Sequence, residues 1–585
     1  MRGLRCFAFL VAACCGLSCV AQSSPAGQSA DHVPTLQVQA RAVVLDVVVT
    51  GKNGEPVPGL RAGDFRVTEN GVPQRIDSFE EHSPQLLPQR PPQALPPDTF
   101  ANLPSRLQGD SMNVVLLDGL NTAPADRSWM NNQVEEFLKN GHLHAPVAVF
   151  SLTSHLRLIH DFTTDSQALL ESLTKNKALL WPDSAFLSRQ TRDDANDVAN
   201  LQMLQMMGAG LPQTGAVASI AHGQEEMKAQ QLGQERGLTL IALQALARYL
   251  APLPGRKNLL WFADSYPVAF TPEARSGAGQ SGSVTLNEMK RTTDLLADAR
   301  ISVYPISAGG VQGNSMMDAS NSAIGPARQA SAMQEQTRVD SAQSMVQMAQ
   351  QTGGEALQNH NDLVAALGRA IANGEHYYTI SYTPSDSRTE GLRRIEVQVG
   401  DPKDRLSYRR TYYAVNSAAA SGEVNPLLRL LLKGAPEAMQ LVFVARVSPE
   451  EHQPDPGAAR AGGNSHLSGP VKRYKVDVLI PAAALPLIPV GDRHRAELDI
   501  DLVVWGADGR AANWAGGPVQ VDLDSGTFAT EQKVGLPWHL EVDAPENANL
   551  VKVGVYDRNT GRAGTIEVPL GDLQPLRSGG NSPTH

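Results

Sequence analysis

Two hydrophobic rhythms divide this chain. In the middle lie short runs that are apolar at almost every position: Asn113-Val-Val-Leu-Leu-Asp118, Val147-Ala-Val-Phe-Ser-Leu152, Lys257-Asn-Leu-Leu-Trp-Phe-Ala-Asp264 and Ile301-Ser-Val-Tyr-Pro-Ile-Ser307. Such runs predict strands buried on both faces of a parallel sheet. Between them, apolar residues recur at helical spacing. The predicted helices cover Pro124–Lys139, Asp165–Leu173 with Asp165 as its cap, Thr239–Leu250, Leu286–Arg300, Ser341–Gln351 and Asp362–Asn373. His155–Phe162 alternates and predicts an edge strand, and Gly354–Leu357 a short one. Strand and helix in turn predict an α/β fold over 111–375: a doubly wound, mostly parallel sheet with helices on both faces. Insertions at 181–237 and 308–338 interrupt it; the first holds a methionine cluster, Met203, Met206 and Met207, read as packing of an inserted helical hairpin.

On either side the rhythm becomes strict alternation, which predicts half-buried antiparallel strands. Residues 35–82 read as an N-terminal β module: a long strand Leu36–Thr50, then Asp64–Gly71 running into an Asn-Gly turn, with Gln74–Phe79 pairing back. Asp64 and Glu69 read there as turn and surface residues. Residues 376–415 read as a β extension expected to join that module or lean on the α/β domain, and 425–575 as a C-terminal β-sandwich. Prolines 84, 88, 91, 92, 96, 97 and 104 mark 83–110 as a stiff linker.

Totals refine this picture. At 585 residues, a prior of ~150 residues per domain suggests about four domains. A hydrophobic share of 42 % and a charged share of 19 % are ordinary for globular protein. A net charge of -10 argues against a nucleic-acid partner. All 4 cysteines fall within the first nineteen residues, inside a positively started apolar stretch that reads as a secretory signal peptide over 1–21. Export to the periplasm or the medium is expected, with no transmembrane span. Lipid anchoring at Cys14 or Cys19 is the less favoured rival.

In an open α/β sheet, ligands meet the carboxyl ends of the strands. Asp118, Asn121 and Thr122 therefore stand where a metal or a partner would be met, and Asp264 ends a second such strand. The chain resembles von Willebrand factor type A domain proteins, in particular the related proteins described from Acidobacteria. The resemblance rests on Gly54-Glu-Pro-Val-Pro-Gly-Leu60, Asp64–Gly71, Leu117-Asp-Gly-Leu-Asn-Thr122, Leu253–Phe262, Tyr377–Pro384 and Arg394–Val397, and covers roughly 35–415. It implies a metal-ion-dependent adhesion site holding Mg²⁺ through a first loop Asp-x-Ser-x-Ser, a second-loop Thr and a third-loop Asp. On that pattern Asp118, Thr122 and Asp264 are the metal residues. Leu120 replaces the first serine, so the site is degenerate, and Leu120 and Asn121 shape a partner-binding rim. Thr214 and Thr239 are the second-loop candidates. The rival reading makes Asp118 a helix N-cap.

Other constellations carry less. His142, His144, His155 and His160 lack zinc spacing, and Asp499 with Asp501 fits an alternating half-exposed strand. No nucleophile elbow, phosphate loop or dinucleotide fingerprint occurs. The expected function is an exported, non-enzymatic, adhesion-type binding protein for a protein or envelope ligand. The alternative is an enzyme or accessory subunit acting on cell-envelope polymers.

Overall fold

The computed structural model describes residues 42–83, 95–103, 111–124, 126–140, 145–181, 233, 235–266, 282–307, 339, 341–358, 363–386, 391–400, 403–414, 427–450, 459–571 and 573. The signal-peptide reading, the methionine cluster, Thr214, His142 and His144 lie outside them.

At the centre is a mixed five-stranded sheet in the order Ile301–Ser307, Arg256–Ala263, Ser111–Asp118, Val147–Leu152, Leu156–Thr163. The first four strands are parallel, and the last returns antiparallel from its neighbour. Both faces are covered, which is why the central runs show no alternation. Val114, Leu116, Leu259 and Trp261 pack on one side against the 235–250 helix. Val115, Leu117, Leu260 and Phe262 pack on the other against Arg127–Asn140, Ser166–Lys175 and Leu363–Glu375. Each fully buried Leu or Phe of this kind contributes roughly 1.5–3 kcal/mol.

Helix ends follow local chemistry. The carboxylate of Asp165 accepts from the Gln167 and Ala168 amides, as its capping role requires. Arg127–Asn140 begins three residues later than its apolar spacing suggested, after Pro124 and the Asp118 loop. Gly354–Leu357 forms only an isolated bridge, Ile306 to Leu357.

The N-terminal strands and the 376–415 strands interleave. Tyr377–Tyr382 lies between Val43–Thr50 and Ser78–His82, while Gly391–Val399 pairs with Phe65–Glu69. The two four-stranded layers share one apolar cluster around Leu45, Phe65, Tyr378 and Ile395. Three expectations change here. The Asn70-Gly71 turn, with φ of 48° and 81°, returns through Val72–Gln74, whereas Ser78–His82 crosses to the other layer. The Leu406–Tyr413 stretch, which its alternation predicts as one antiparallel strand, splits into Arg405–Ser407 and Thr411–Ala414, which join different layers. Glu69 is 3 % exposed, not a surface residue. It follows Phe65 and Val67 on the inward face and is neutralised by Arg393 at 2.6 Å, with the Tyr382 and Tyr412 hydroxyls donating to it.

Towards the C-terminus, two antiparallel layers share a second cluster that includes Phe443, Val476, Leu498 and Val553. One layer runs Leu536–Pro545, Val471–Ile480, Val444–Pro449, Thr99–Ala101; the other is centred on Arg493–Gly506 and Ala548–Asp557. Thr99–Ala101 corrects the linker reading of 83–110. Its three residues carry no proline, so their amides can join an edge, and Phe100 packs on the cluster. Asp499 is 3 % exposed and held by Arg558 at 2.6 and 2.8 Å, so charge pairing explains it rather than exposure.

At the amino end of the central sheet, a polar seam joins the N-terminal layers to it. Arg256, 0 % exposed, donates from Nε to Asn258 (3.1 Å) and from Nη2 to Tyr304 (3.2 Å) and the Gly353 carbonyl (2.7 Å). Its Nη1 reaches the Asp46 carbonyl at 3.4 Å. Burial works against ionised Asp46, but the Arg300 guanidinium at 2.5 and 2.9 Å outweighs it and holds that carboxyl below its ordinary range. Arg256→Met would strand these acceptors in a dry seam and is expected to cost about 3 kcal/mol. Arg256→Lys should recover little, because an ammonium cannot reproduce the planar fork. Denaturant midpoints of the two variants check both statements.

Candidate functional site

Asp118, opposite Leu152, closes the last register of the central strand and is 0 % exposed. Its Oδ1 accepts from the Asn121 amide at 2.9 Å. Its Oδ2 accepts from Asn121 Nδ2 at 2.7 Å and from the Trp261 indole nitrogen at 2.9 Å. The nearby Leu120 amide, which donates to the Leu152 carbonyl at 3.1 Å, also favours the ionised form. Burial pushes this carboxyl up to about 6, against the pull of those donors.

The loop beyond it is tied down from several directions. Asn121 Nδ2 also donates to Thr239 Oγ1 at 2.9 Å, and that hydroxyl donates to the Glu235 carbonyl at 2.8 Å. The Asp264 and Ser265 amides both donate to the Asn121 carbonyl, at 3.2 and 3.0 Å. The tips at 118 and 264 therefore arrive side by side, as the pairing of Leu117 with Phe262 requires. Arg127 donates to the Thr122 and Gly119 carbonyls at 3.3 and 3.2 Å and lies over the Trp181 ring.

Of the residues singled out from sequence, Asp118, Asn121 and Thr122 share this loop, and Asp264 is half-buried beside it. Thr239 is the second-loop candidate that reaches it. Leu120, 2 % exposed, points into the core with Leu116, Leu240 and Trp261, so it forms no rim in this conformation. Asn121 is likewise buried, at 5 %. The N-cap reading of Asp118 fails because Arg127–Asn140 starts nine residues later. Its acceptors instead close the loop on itself.

Trp261 was not singled out beforehand. A signal existed: an indole N–H within an all-buried strand must find an acceptor. His155 and His160 bond to the Lys433 and Asp161 carbonyls respectively. Among the described residues, no three His, Cys, Asp or Glu side chains converge as a metal cluster.

A hard divalent cation needs oxygen lone pairs directed at it. Asn121 Oδ1 and Thr122 Oγ1 are buried oxygens with no hydrogen-bond partner. Asp118, in contrast, already accepts one N–H on Oδ1 and two on Oδ2, which leaves a single lone pair, on Oδ1, for a cation. Direct ligation of Mg²⁺ by Asp118 would therefore rest on Oδ1 alone or displace a donor from Oδ2.

A search of solved structures finds von Willebrand factor type A from Catenulispora acidiphila, 8 % identical, over 87 % of this chain and 74 % of that one, with a TM-score of 0.20. At that score the similarity carries no argument. No protein-family model and no curated protein matches the chain.

A raised carboxyl contributes stability that is complete below its ordinary value near 3.8 and is lost as pH rises through about 6. The loss amounts to roughly 3 kcal/mol above that window. Trp261→Phe removes one donor to the ionised form and so raises Asp118 further. The variant should match wild type near pH 5, after a constant packing loss, and fall an additional ~1 kcal/mol behind by pH 8. Denaturant titrations across that range, or a carboxyl NMR titration of Asp118, check the sign.

Proposed function

We propose that this chain is an exported, non-enzymatic binding protein of adhesion type. In this reading, the central sheet is a doubly wound, type A-like layer, and the C-terminal layers form a β-sandwich. A protein or envelope ligand meets the carboxyl end of the central sheet. One observation carries the reading: the strand tips at 118 and 264 are cross-tied through Asn121 into a rigid platform where open α/β sheets meet ligands. The adhesion site is degenerate. Asp118 spends its oxygens on N–H donors, and Leu120 fills the core where a hydroxyl would be needed. The contact is therefore metal-free, made by exposed and half-exposed groups such as Ser154, Asp264 and Ser265.

The test is retention of a partner from an envelope extract by the immobilised full chain, with rebinding of the purified partner measured afterwards. Equal affinity in Mg²⁺ and in chelator is expected. Ser154→Arg, at an exposed turn on the platform, should weaken rebinding by about tenfold, on the scale of 1.4 kcal/mol, without lowering Tm. Chelator-sensitive binding that Asp118→Ala abolishes would restore the cation. Turnover of an envelope polymer by the purified chain would overturn the non-enzymatic reading.

A further inference from the structure

Residues 427–443 run between the edge of the central sheet and the C-terminal layers, and nearly all their bonds are made outward. Towards the central sheet, the Gly434 carbonyl accepts from the Leu158 amide at 3.3 Å, and Lys433 O pairs with His155 Nε2 at 3.1 Å. Arg248 on the 235–250 helix donates to Gln440 Oε1 at 2.9 Å and, beyond it, to the Gly561 carbonyl. Met439 inserts among the apolar residues on that face of the sheet.

Towards the C-terminal layers, Trp505 Nε1 donates to the Leu431 carbonyl at 3.1 Å. Lys552, 0 % exposed, donates to the Leu432 and Ala435 carbonyls at 3.0 and 2.6 Å. Ala438 exchanges bonds with Thr565, and the Leu441 amide donates to the Ala563 carbonyl at 3.0 Å. The segment is thus a strap with one side on each unit.

At this strap two acids face one buried lysine. Glu437 accepts from the Glu567 amide at 2.8 Å, which places two acids beside the single buried ammonium of Lys552; Glu567 Oε2 stands 3.6 Å from it. Across the seam, Asp161 on the edge strand adds a third acid and is bonded by the Tyr249 hydroxyl. Arg157 on the same strand approaches Gly434. Two carboxylates beside one desolvated lysine favour a proton on one of them.

We propose that the 427–443 strap is a proton-sensitive clasp: with Glu437 protonated it holds the C-terminal layers against the central sheet, and loss of that proton loosens it.

Burial pushes Glu437 up to about 7, with Glu567 and Asp161 acting in the same direction and Lys552 against it. For a raised acid, the stabilisation is complete below the ordinary range near 4.5 and is lost as pH rises through about 7. His155 does not supply the switch, since burial and Arg157 push it down to about 4 and leave it neutral throughout that window. Lys552 can serve its two carbonyls in either protonation state, because an amine retains two N–H donors.

Hydrogen–deuterium exchange on the full chain, corrected for intrinsic rates, reads the clasp directly at the Ala438, Leu441 and Thr565 amides. Opening should rise at least about tenfold between roughly pH 5.5 and 8.5 in wild type. Glu437→Gln, which keeps an acceptor for the Glu567 amide, should abolish that dependence. Glu567→Gln, which removes a like charge, should move the transition to lower pH. Equal protection at both pH values, or an undiminished transition in Glu437→Gln, would overturn the clasp. Should Glu437→Gln fail to fold, an unshifted midpoint in Glu567→Gln does so independently.

Discussion

The pairing of Ser111–Asp118 with Arg256–Ala263 is the constraint on which the other parts depend. These strands are far apart in the chain, wholly buried on both faces, and parallel, so neither can be replaced by a neighbour in sequence. Long-range parallel pairing costs loop closure before any contact is gained. The structure holds it at both ends with polar bonds that tolerate little displacement. At the amino end, Asn258 Nδ2 donates to Asn113 Oδ1 at 3.0 Å, with Arg256 behind it. At the carboxyl end, Trp261 and Asn121 converge on Asp118. In a dry interior each of these bonds is costly to break, because the group left behind has no water to turn to.

That arrangement changes what an aspartate at a strand tip means. A carboxylate left open to solvent or metal has to keep free lone pairs; one that closes a register does not. Asp118 belongs to the second kind. Its burial costs stability at neutral pH, and the N–H groups around it recover part of that cost while aligning two strands and a loop. Asn121 Oδ1 and Thr122 Oγ1 remain beside it as buried oxygens without a hydrogen-bond partner.

Much of the central layer could be read directly. Ile301–Ser307 begins and ends where its apolar run does, and Asp165 caps the helix it was expected to cap. The reason is that one-dimensional signals, apolar runs and capping side chains, report local burial and local bonds. What could not be read are facts of pairing. Ser78–His82 looks like the return arm of a local hairpin, yet it pairs with a strand some three hundred residues later. Thr99–Ala101 is hidden among prolines and becomes visible as a strand only because Val444–Arg446 offers it an edge. Glu69 keeps the inward register of Phe65 and Val67 despite its charge, and only the distant Arg393, Tyr382 and Tyr412 explain how it is buried. Asp118 was found by position, but the role of its oxygens was decided by Trp261, 143 residues away along the chain.

The same logic governs the two seams that join the outer β layers to the central sheet. The seam with the N-terminal layers is built from paired charges: Asp46 answers Arg300, and Arg256 finds four acceptors. Arginine remains charged at every accessible pH and Asp46 is held low, so this pair of charges stays fixed across the physiological range. The seam with the C-terminal layers sets Glu437 and Glu567 against the buried Lys552, with Arg157 and Arg248 nearby. The clasp proposed there turns on a proton, and protons exchange with the solution. The charge pair of one seam is therefore fixed and the acid pair of the other adjustable, so a pH response at the C-terminal seam adds to the one expected at Asp118 in the central sheet.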